Sequence, residues 1–410
     1  MDQRKIAPAA TRIGVRDATR TPRDRESPLV CFSHLRWDFV FQRPQHLMTR
    51  AARSRRVFFW EEPIWSEPGE TGKAEHGLRI TDGQGGVTVV TPVLPAGMDE
   101  TAATHAQRQM LDRLFAEHGI DDPILWYYTP QALPFSDHVR TPRIVYDCMD
   151  ELSAFLGADP ALPVRERTLL ERASVVFTGG YSLYEAKRQQ HCNVHPFPSG
   201  VDVAHFRPAR RNLPEPVDQR GIPHPRLGFY GVIDERLDRD LLGALAALRP
   251  DWQFVLVGPV VKVDPAVLPR AANIHYLGGK PYSVLPTYLS GWDVALMPFA
   301  CNESTRFISP TKTPEYLAGG KPVVSTPIVD VVRHYGRATG VLIAETAPDF
   351  AAAVKDALQL ARDPDRWLPE ADEMLAAASW DRIWARMTSL IDQASREAPL
   401  SYGRAGAQLA

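Results

Sequence analysis

Residues 302–326 read NESTRFISPTKTPEYLAGGKPVVST, and this stretch decides how the rest of the chain is interpreted. The apolar runs VALMPF before it and PVVSTP after it are typical of buried strands, so a single helix must connect them. Ser309-Pro310 and Thr313-Pro314 each have the pattern of an N-cap followed by proline at the first helical position, which leaves two possible starts. Gly319-Gly320 predicts the end of this helix. The stretch therefore predicts a strand–helix–strand unit.

Two charged side chains lie close to the predicted start of this helix. The free N–H groups of a helix start favour anions, and Lys312 adds a mobile positive charge there. Glu315 places a carboxylate about one turn into the helix. This combination suits a ligand with a phosphate at one end and a diol at the other, as in a nucleoside diphosphate. A surface Lys–Glu pair on an ordinary helix is an equally open interpretation of these two residues.

The composition is that of a water-soluble protein with room for two domains. The chain has 410 residues, of which 44% are hydrophobic and 23% charged, and its net charge is −2. This charge gives no general attraction to nucleic acid, so no nucleic-acid partner is expected. The four cysteines are widely spaced, which indicates reduced thiols. No apolar run approaches a membrane span, and we expect a cytoplasmic protein.

The strand and helix patterns repeat in two halves. Apolar strands alternate with amphipathic helices, which argues for parallel sheets covered on both faces. The predicted strands cover residues 28–34, 56–63, 87–93, 123–130, 143–150, 174–180, 193–200, 226–233, 252–260, 273–279, 294–299, 322–327 and 340–345. Two α/β halves joined by one linker would form a cleft where the carboxyl edges of their sheets face each other.

We divide the chain accordingly. The Arg-rich, aperiodic N-terminus predicts a mobile arm, and a proline- and arginine-rich segment with no expected regular element predicts a linker. The predicted divisions are the arm 1–27, an N-terminal domain 28–206, the linker 207–225, a C-terminal domain 226–380, and a C-terminal helix and tail 381–410. Trp380 and Trp384 lie one turn apart in the last helix and are expected to be packing anchors.

The order of five motifs resembles that of the two-domain GT-B glycosyltransferases. The motifs are PSGVDVAHF (198–206), GFYGVIDERLD (228–238), FVLVGP (254–259), NIHYLGGKPYSVLPTYLSGWDVALMPF (273–299) and SPTKTPEYLAGGKPVVS (309–325). The resemblance is to the family 4-like retaining enzymes of bacterial polysaccharide and glycolipid synthesis. In the first half, HLRWDFVFQRPQHL (34–47) and VYDCMDELSAF (145–155) look like a subgroup that includes teichuronic-acid-type transferases. The resemblance implies a GT-B fold with two Rossmann-like, doubly wound domains, the second of which binds the donor.

The resemblance implies a donor site for a nucleotide-diphosphate sugar, with a UDP-sugar favoured over a GDP-sugar. No DxD triplet stands at a strand end, so we expect no metal and no cofactor, and cations neutralise the leaving diphosphate instead. Lys312 and Arg236 are the implied cations, and Glu315 matches the family glutamate that accepts hydrogen bonds from the ribose hydroxyls. The other candidate donor-binding residues are Gly231, Pro259, Gly279, Tyr282, Ser309 and Thr311. Where the family has a second glutamate, this chain has Phe307, which leaves the contact to the transferred sugar open.

Candidates for the reaction itself lie in the first half. Asp150 and then Asp147, at the end of the strand RIVYD, are the predicted acid/base or acceptor-orienting groups. A capping role in the following helix is the alternative for both aspartates. Four side chains after the first predicted strand are candidate acceptor-binding residues: His34, Arg36, Trp37 and Arg43. Trp37 offers a stacking face, and the two arginines could hold a phosphate or carboxylate of the acceptor.

The predicted function is transfer of a sugar from the nucleotide donor to a glycan, lipid-linked or small-molecule acceptor, by a retaining and metal-independent reaction. Two alternatives stay open. One is a sugar-nucleotide 2-epimerase of the same fold, which needs no acceptor. The other is a catalytically degenerate scaffold that binds a nucleotide or glycan. An arginine cluster at residues 53–56 also leaves open a weak peripheral contact with the inner face of the membrane.

Overall fold

The computed structural model describes residues 26–67, 76–155, 157–338 and 340–397. Two β-sheets organise these residues, one in each half of the chain. The predicted N-terminal arm lies almost wholly outside the described residues. All thirteen predicted strands are present. Each is shorter than its predicted run, except the strand predicted at 87–93, which covers Thr88–Pro95.

The first half forms a nine-stranded sheet. Eight strands follow the order β3-β5-β2-β1-β6-β7-β8-β9, and β4 pairs with β5 at the edge. The β4–β5 pair is antiparallel, and the other pairs in this sheet are parallel. The elements are β1 (Leu29–Phe32), α1 (Arg43–Ala51), β2 (Val57–Trp60), β3 (Ile64–Ser66), β4 (Gly77–Asp82), β5 (Thr88–Pro95), α2 (Glu100–His118), β6 (Ile124–Tyr127), α3 (Leu133–Ser136), β7 (Ile144–Cys148), α4 (Leu162–Arg172), β8 (Val175–Thr178), α5 (Tyr181–Lys187) and β9 (Val194–Pro196).

The second half forms a six-stranded sheet in which every strand pair is parallel. The order β12-β11-β10-β13-β14-β15 is that of a doubly wound nucleotide-binding sheet, with a crevice where the order reverses between β10 and β13. The elements are α6 (Val203–Phe206), β10 (Arg226–Tyr230), α7 (Arg239–Leu248), β11 (Gln253–Val257), β12 (Ile274–Tyr276), α8 (Leu285–Ser290), β13 (Val294–Met297), α9 (Lys312–Ala318), β14 (Val323–Ser325), α10 (Val329–Tyr335), β15 (Val341–Ile343), α11 (Ala347–Arg362), α12 (Leu368–Ala377) and α13 (Trp380–Glu397). Short 3₁₀ turns occur between these elements.

Strands β3 and β4 were not predicted. Strand β3 has only three residues, and the exposed residues of β4 at the sheet edge carry no apolar period. The central strands were recognisable because they are buried on both faces, which requires a continuous apolar sequence.

The segment 207–225, which was predicted to be the linker, packs against the second half. A 3₁₀ turn covers Arg207–Arg210, which corrects the expectation that this segment holds no regular element. Gln219 is fully buried, donates to the carbonyl of Tyr288 and accepts from the indole of Trp292. These bonds fix the segment against α8.

The last helix returns to the first half. Trp380 is buried and stacks on His46 of α1, with ring centroids 4.7 Å apart, and Trp384 lies 6.0 Å from Trp126. Both tryptophans therefore act as packing anchors, as expected. Among the described helices, none is long and apolar enough to cross a membrane.

Candidate active site between the facing sheet edges

Two glycines at the carboxyl edge of the second sheet make room for Lys312. Gly231 has a φ of +142°, and a Cβ atom there would lie 2.1 Å from Cε of Lys312. Gly258, with a φ of +157°, follows β11, and its Cβ would lie 1.8 Å from the carbonyl oxygen of Gly231. Only glycine fits either position, because side chains are disfavoured at such φ values and no space remains. The loops after β10 and β11 therefore cross closely beneath the lysine.

Helix α9 begins at Lys312, with Thr311 as its N-cap, so neither predicted start is correct. Thr313 and Pro314 lie within the first turn, and Thr311 makes no side-chain capping bond. The predicted end is confirmed, because Gly319 is the C-cap and Gly320 has a left-handed φ of +73°.

The amine of Lys312 is enclosed without a counter-ion. Its Nζ lies 5.9 Å from the ring centroids of both Phe229 and Phe299, and it forms no ion pair with any described carboxylate. Burial lowers the pKa of Lys312, and the nearby Arg236 lowers it further, while surrounding carboxylates oppose the shift. A buried cation of this kind gains stability when an anion binds next to it.

Arg236 lies beside this lysine and is held in place by Asp234. Its Nε donates to both carboxylate oxygens of Asp234 at 3.0 Å, and its guanidinium lies 5.7 Å from the ring centroid of Phe155. Burial opposes the charged form of Arg236, but its hydrogen bonds to Asp234 raise its pKa, and so does the negative charge of the nearby Asp150. The residue is therefore a fixed cation, and Phe155 from the first half forms the opposite wall.

Asp150 of the first half faces these cations. It lies two residues after β7 and is half-buried, and burial raises its pKa to about 6. Arg236, Arg43 and Lys312 act against this rise, and the influence of Arg236 and Lys312 shows that Asp150 lies across the cleft from the second sheet. The predicted meeting of Asp150 with Lys312 and Arg236 is therefore present. Its catalytic role stays a prediction.

Asp147 and Arg43 form a buried ion pair inside the first half. Arg43 Nε donates to the two carboxylate oxygens of Asp147 at 3.1 and 3.0 Å, and its terminal nitrogens donate to Asp147 at 2.8 Å and to the carbonyl of Phe197 at 2.8 Å. Both side chains are at most 3% exposed. The predicted roles of Asp147 in catalysis and of Arg43 in acceptor binding are therefore wrong, because neither side chain can reach a ligand.

The loop after β1 is organised by Glu61, which the sequence did not single out. Its carboxylate accepts from the backbone N–H of Trp37 at 2.6 Å, from Arg36 at 3.2 Å and from Thr91 at 2.8 Å. Trp37 is buried against Phe59, so its predicted stacking face is covered. Arg36 is half-exposed and pairs with Glu61, and its predicted role in acceptor binding stays a prediction.

His34 lies at the cleft beside a lysine from the opposite half. Burial and, to a smaller extent, the nearby Lys262 lower the pKa of His34 to about 4, so the imidazole is neutral at physiological pH. Lys262 has a φ of +58°, and its Nζ lies 5.7 Å from the ring centroid of Phe155. Phe155 thus lies beside both Lys262 and Arg236. Neither Phe155 nor Lys262 carries a sequence signal, because both belong to irregular loops.

Glu315 lies one turn into α9 and is buried. The hydroxyl of Tyr230 donates to Glu315 Oε2 at 2.9 Å. Burial raises the pKa of Glu315 to about 7, although Lys312 and the Tyr230 hydrogen bond both lower it. The Lys–Glu pair therefore belongs to an enclosed site, and the alternative of an ordinary surface pair is excluded.

Two of the three predicted base-binding residues lie next to each other, and the third lies elsewhere. A Cβ on Gly279 would lie 3.7 Å from Cδ of Pro259, so these two residues border one space. Tyr282 instead stacks on His205 at 4.3 Å and on Phe41 of the first half at 4.8 Å. Both faces of its ring are covered, so the predicted packing of Tyr282 on a base is wrong.

Ser309 and Phe307 lie at the contact between the halves. The carbonyl of Ser309 accepts from the hydroxyl of Ser199 at 3.2 Å, and a Cβ on Gly180 would lie 2.9 Å from Cβ of Ser309. Phe307 packs against the hydrophobic core of the first half. The departure from the family glutamate therefore coincides with an interdomain packing contact. No group of three or more potential metal ligands occurs among the described side chains.

Residues 224–360 match the sequence profile of a family described as Glycosyl transferases group 1. TuaH of Bacillus subtilis (strain 168), whose name describes a teichuronic acid biosynthesis glycosyltransferase, is 28% identical over 218 residues. That alignment covers 49% of this chain and 55% of TuaH, so the chain spans about half the length of the curated relative it matches.

Solved structures show the same fold over nearly the whole chain. Sucrose-phosphate synthase from Thermosynechococcus elongatus superposes with a TM-score of 0.66 at 16% identity, covering 90% of this chain and 99% of that one. Anabaena Alr3699/HepE in complex with UDP and glucose gives a TM-score of 0.63 at 14% identity, covering 90% and 100%. A UDP-forming α,α-trehalose-phosphate synthase from Burkholderia vietnamiensis gives 0.63 at 16% identity, covering 90% and 99%.

The two doubly wound sheets and their facing charged edges define a protein of the two-domain GT-B class. Together with the family match and the TuaH alignment, this fold confirms the predicted resemblance. The chain has the GT-B fold, its residues 224–360 are similar to the Glycosyl transferases group 1, and about half of its length is similar to TuaH.

Proposed function

We propose that the chain transfers a sugar from a UDP-sugar to a glycan acceptor. The observation that carries this proposal is the convergence of Lys312 and Arg236 of the second half with Asp150 of the first. Two cations at one sheet edge suit the diphosphate, and a carboxylate opposite them suits the acceptor hydroxyl. The solved structures of Anabaena Alr3699/HepE with UDP and glucose and with UDP-glucose, which have the same fold, support uridine as the base.

In this proposal the cations act as the bond to the leaving diphosphate breaks. Negative charge grows on the diphosphate oxygens, and Lys312 and Arg236 stabilise it without rearrangement because packing and Asp234 already hold them. Glu315 accepts hydrogen bonds from the ribose hydroxyls, for which an ionised carboxylate is suited. Pro259 and Gly279 border the base.

We further propose a retaining reaction that requires no metal ion. In a front-face retaining reaction the leaving phosphate takes the proton of the acceptor hydroxyl, and Asp150 orients that hydroxyl. Arg236 and Lys312 supply the positive charge that a metal ion supplies in other transferases. Unchanged turnover after chelation with EDTA is the expected result, and loss of turnover restored by Mg²⁺ or Mn²⁺ would contradict it.

The decisive experiment incubates the chain with UDP- and GDP-sugars, each with and without a panel of glycan acceptors. Expected results are nucleotide release that depends on an acceptor and a product of unchanged anomeric configuration by NMR. Formation of an epimerised nucleotide sugar without an acceptor would instead indicate the epimerase, and UDP binding without any product would indicate a scaffold.

Asp150→Asn separates binding from turnover. The variant keeps the side-chain shape, so UDP affinity should stay within about twofold while turnover falls at least a hundredfold, about 2.7 kcal/mol in the barrier. Glu303→Gln, an exposed carboxylate in the loop before α9, is the matched control and should retain turnover. Turnover retained in Asp150→Asn would remove this residue from the reaction.

Membrane contact and a cytoplasmic location stay predictions. The arginine cluster gives them little support, because Arg53 pairs with Asp381, Arg55 pairs with Glu26, and Arg56 donates to the carbonyl of His118. Sedimentation with anionic lipid vesicles tests the contact directly.

A further inference from the structure

A cavity of about 330 Å³ lies at the carboxyl edge of the first sheet. It is lined where β1, β2 and β6 end, on the same edge that carries Asp150 after β7. A second cavity of about 310 Å³ shares four lining residues with it, namely Trp65, Gln107, Gln131 and Phe135. The two cavities therefore form one groove that runs over the outer part of the first half.

The groove contains an exposed aromatic platform. Trp65 on β3 is 49% exposed, and its ring stacks on no other described ring. The indole Nε1 of Trp60, another lining residue, is buried and has no hydrogen-bond acceptor among the described residues. An exposed tryptophan face together with an unpaired indole donor suits a ligand with both C–H faces and hydroxyl oxygens.

Neutral polar groups surround this platform. The side-chain amides of Gln107 and Gln131 make no hydrogen bond to any other described residue, and both are half-exposed. The hydroxyls of Ser33 and Thr129 accept from the backbone N–H groups of Leu35 and Gln131. Each hydroxyl therefore keeps its own proton available for donation to a ligand.

The charges of the groove are mostly paired within the protein. Glu61 is bonded to Arg36, and Arg165 pairs with Glu100 and with Asp159. Glu62 is an exposed residue, but partial desolvation of its carboxyl group raises the pKa of that group, and Arg36 and Lys262 oppose the rise. No unpaired arginine or lysine belongs to the described lining, so the groove offers little attraction to an anionic ligand.

The groove also opens toward the candidate reaction centre. Ser33 in its lining precedes His34, and Lys262 lies near both His34 and Glu62. Lys262 in turn approaches Phe155, against which Arg236 also lies. A ligand in the groove can therefore extend toward Asp150 and the proposed donor site.

We propose that this groove binds uncharged sugar residues of the acceptor, with a ring stacked on Trp65 and hydroxyls bonded to Gln107 and Gln131. This inference rests on the proposed transfer function and names its acceptor class. It replaces the anionic acceptor expected from Arg36 and Arg43, because those arginines are already paired. A uronate or phosphate in the same position would meet Glu62, and the one arginine in the described lining, Arg165, already pairs with Glu100 and Asp159.

The test measures binding of the whole chain to tetrasaccharides of matched length. The probes are cellotetraose, mannotetraose and maltotetraose as neutral sugars and tetragalacturonate as the anionic sugar, with UDP present throughout. At least one neutral tetrasaccharide should bind at least tenfold more tightly than tetragalacturonate. Tighter binding of tetragalacturonate, or binding of none of the neutral probes while UDP still binds, would overturn the inference.

Variants then locate the site. Trp65→Ala should weaken neutral tetrasaccharide binding at least tenfold, Trp65→Phe by no more than about threefold, and Gln107→Leu by an intermediate factor. Ile80→Ala, an exposed apolar residue on the neighbouring β4, is the control and should have no effect. UDP affinity should be unchanged in all four variants. Failure of UDP binding in the unaltered chain would instead count against the proposed function itself, and equal sugar binding in Trp65→Ala would overturn the groove.

Discussion

The carboxyl edges of the two sheets carry similar charged residues but use them in different ways. At the edge of the first sheet, Arg43 and Asp147 neutralise each other in the interior. At the edge of the second sheet, the amine of Lys312 is enclosed without a partner among the described carboxylates. The first arrangement stabilises a domain, and the second leaves binding energy available for an anionic ligand.

A charged residue at a strand end therefore cannot be assigned to a ligand site until its partners within the protein are known. An ion pair that is complete and fully buried, as Arg43–Asp147 is, has no remaining capacity for a substrate, whereas the paired Arg236 side chain is still 25% exposed. A desolvated cation without such a pair raises the free energy of the unliganded state, and ligand binding relieves this cost. Stability and ligand affinity should therefore respond in opposite ways to substitutions at the two edges.

The largest expected effect is on stability at the first edge. Arg43→Leu leaves the carboxylate of Asp147 buried without its partner, so the free energy of unfolding should fall by about 3–5 kcal/mol. Denaturant unfolding followed by fluorescence measures the change. Arg53→Leu, which removes an exposed partner of Asp381, is the matched control and should change stability by less than about 1 kcal/mol.

The double variant Arg43→Leu/Asp147→Leu sharpens this result. It removes both charges, so it should recover a large part of the stability lost in Arg43→Leu. A single variant as stable as the unaltered chain would show that Arg43 is not a structural residue and would reopen its role in acceptor binding.

The next effect is on affinity at the second edge. Lys312→Met should weaken UDP binding by about 10–100-fold, or 1.4–2.8 kcal/mol, because a charge-assisted contact to the diphosphate is lost. The free energy of unfolding should stay the same or rise, since a desolvated charge is removed. Isothermal titration calorimetry and denaturant unfolding measure the two quantities, with the exposed Lys355→Met as the control. Unchanged UDP affinity in Lys312→Met would show that Lys312 does not bind the diphosphate.

The central strands and part of the candidate site could be predicted from the sequence. Every central strand was predicted, because burial on both faces requires apolar runs that are visible in the chain. The sequence could indicate where Arg236, Asp150, Pro259 and Gly279 lie, because each follows a strand and the carboxyl ends of parallel strands share one edge. Lys312 could be located because it lies near the predicted start of α9, and the roles of all five residues stay predictions.

The remaining site residues depend on contacts between segments distant in sequence. Arg43 and Asp147 are 104 positions apart, and nothing local shows that they pair. Tyr282 is covered by Phe41 from the other half, and Trp37 by Phe59. Glu61 and Lys262 act through their neighbours in space rather than through a motif, so no sequence pattern could have indicated them.

A smaller effect, on the pH dependence of stability, distinguishes Asp150 from Asp147. The folded-state pKa of Asp150 is about 6, above its unfolded value near 4, so the unaltered chain loses stability as pH rises from about 4 to 6. Asp150→Asn lacks this loss and should be more stable by about 1–2 kcal/mol at pH 8, with the difference disappearing toward pH 4. Asp147→Asn should be less stable at pH 8, because Arg43 loses its counter-ion.

Denaturant midpoints measured between pH 4 and 8 test both aspartates. A pH-independent difference between Asp150→Asn and the unaltered chain would show that Asp150 does not titrate in this range. If both substitutions changed the free energy of unfolding in the same direction at pH 8, the proposed difference between the paired carboxylate of Asp147 and the unpaired carboxylate of Asp150 would be wrong.

The smallest effect concerns the contact that keeps the two edges facing each other. Asp330 of α10 accepts a hydrogen bond from the backbone N–H of Ser182 at 3.0 Å, at the start of α5 in the other half. A Cβ on Gly180 would lie 1.9 Å from Asp330 Oδ2, so this approach requires a glycine. Arg333 adds an exposed ion pair with Glu185 across the same contact.

Asp330→Ala removes the acceptor for the Ser182 N–H and should cost about 0.5–1 kcal/mol, as the loss of a helix cap does. Hydrogen exchange measured by mass spectrometry should show faster exchange at the start of α5, while α9 stays protected. Asp330→Asn keeps an acceptor oxygen, so it should behave like the unaltered chain, and Arg333→Ala should have a weaker effect because its partner is exposed. If α5 exchanges at the same rate in Asp330→Ala, the facing of the two edges depends on other contacts, such as the stack of Tyr282 on Phe41.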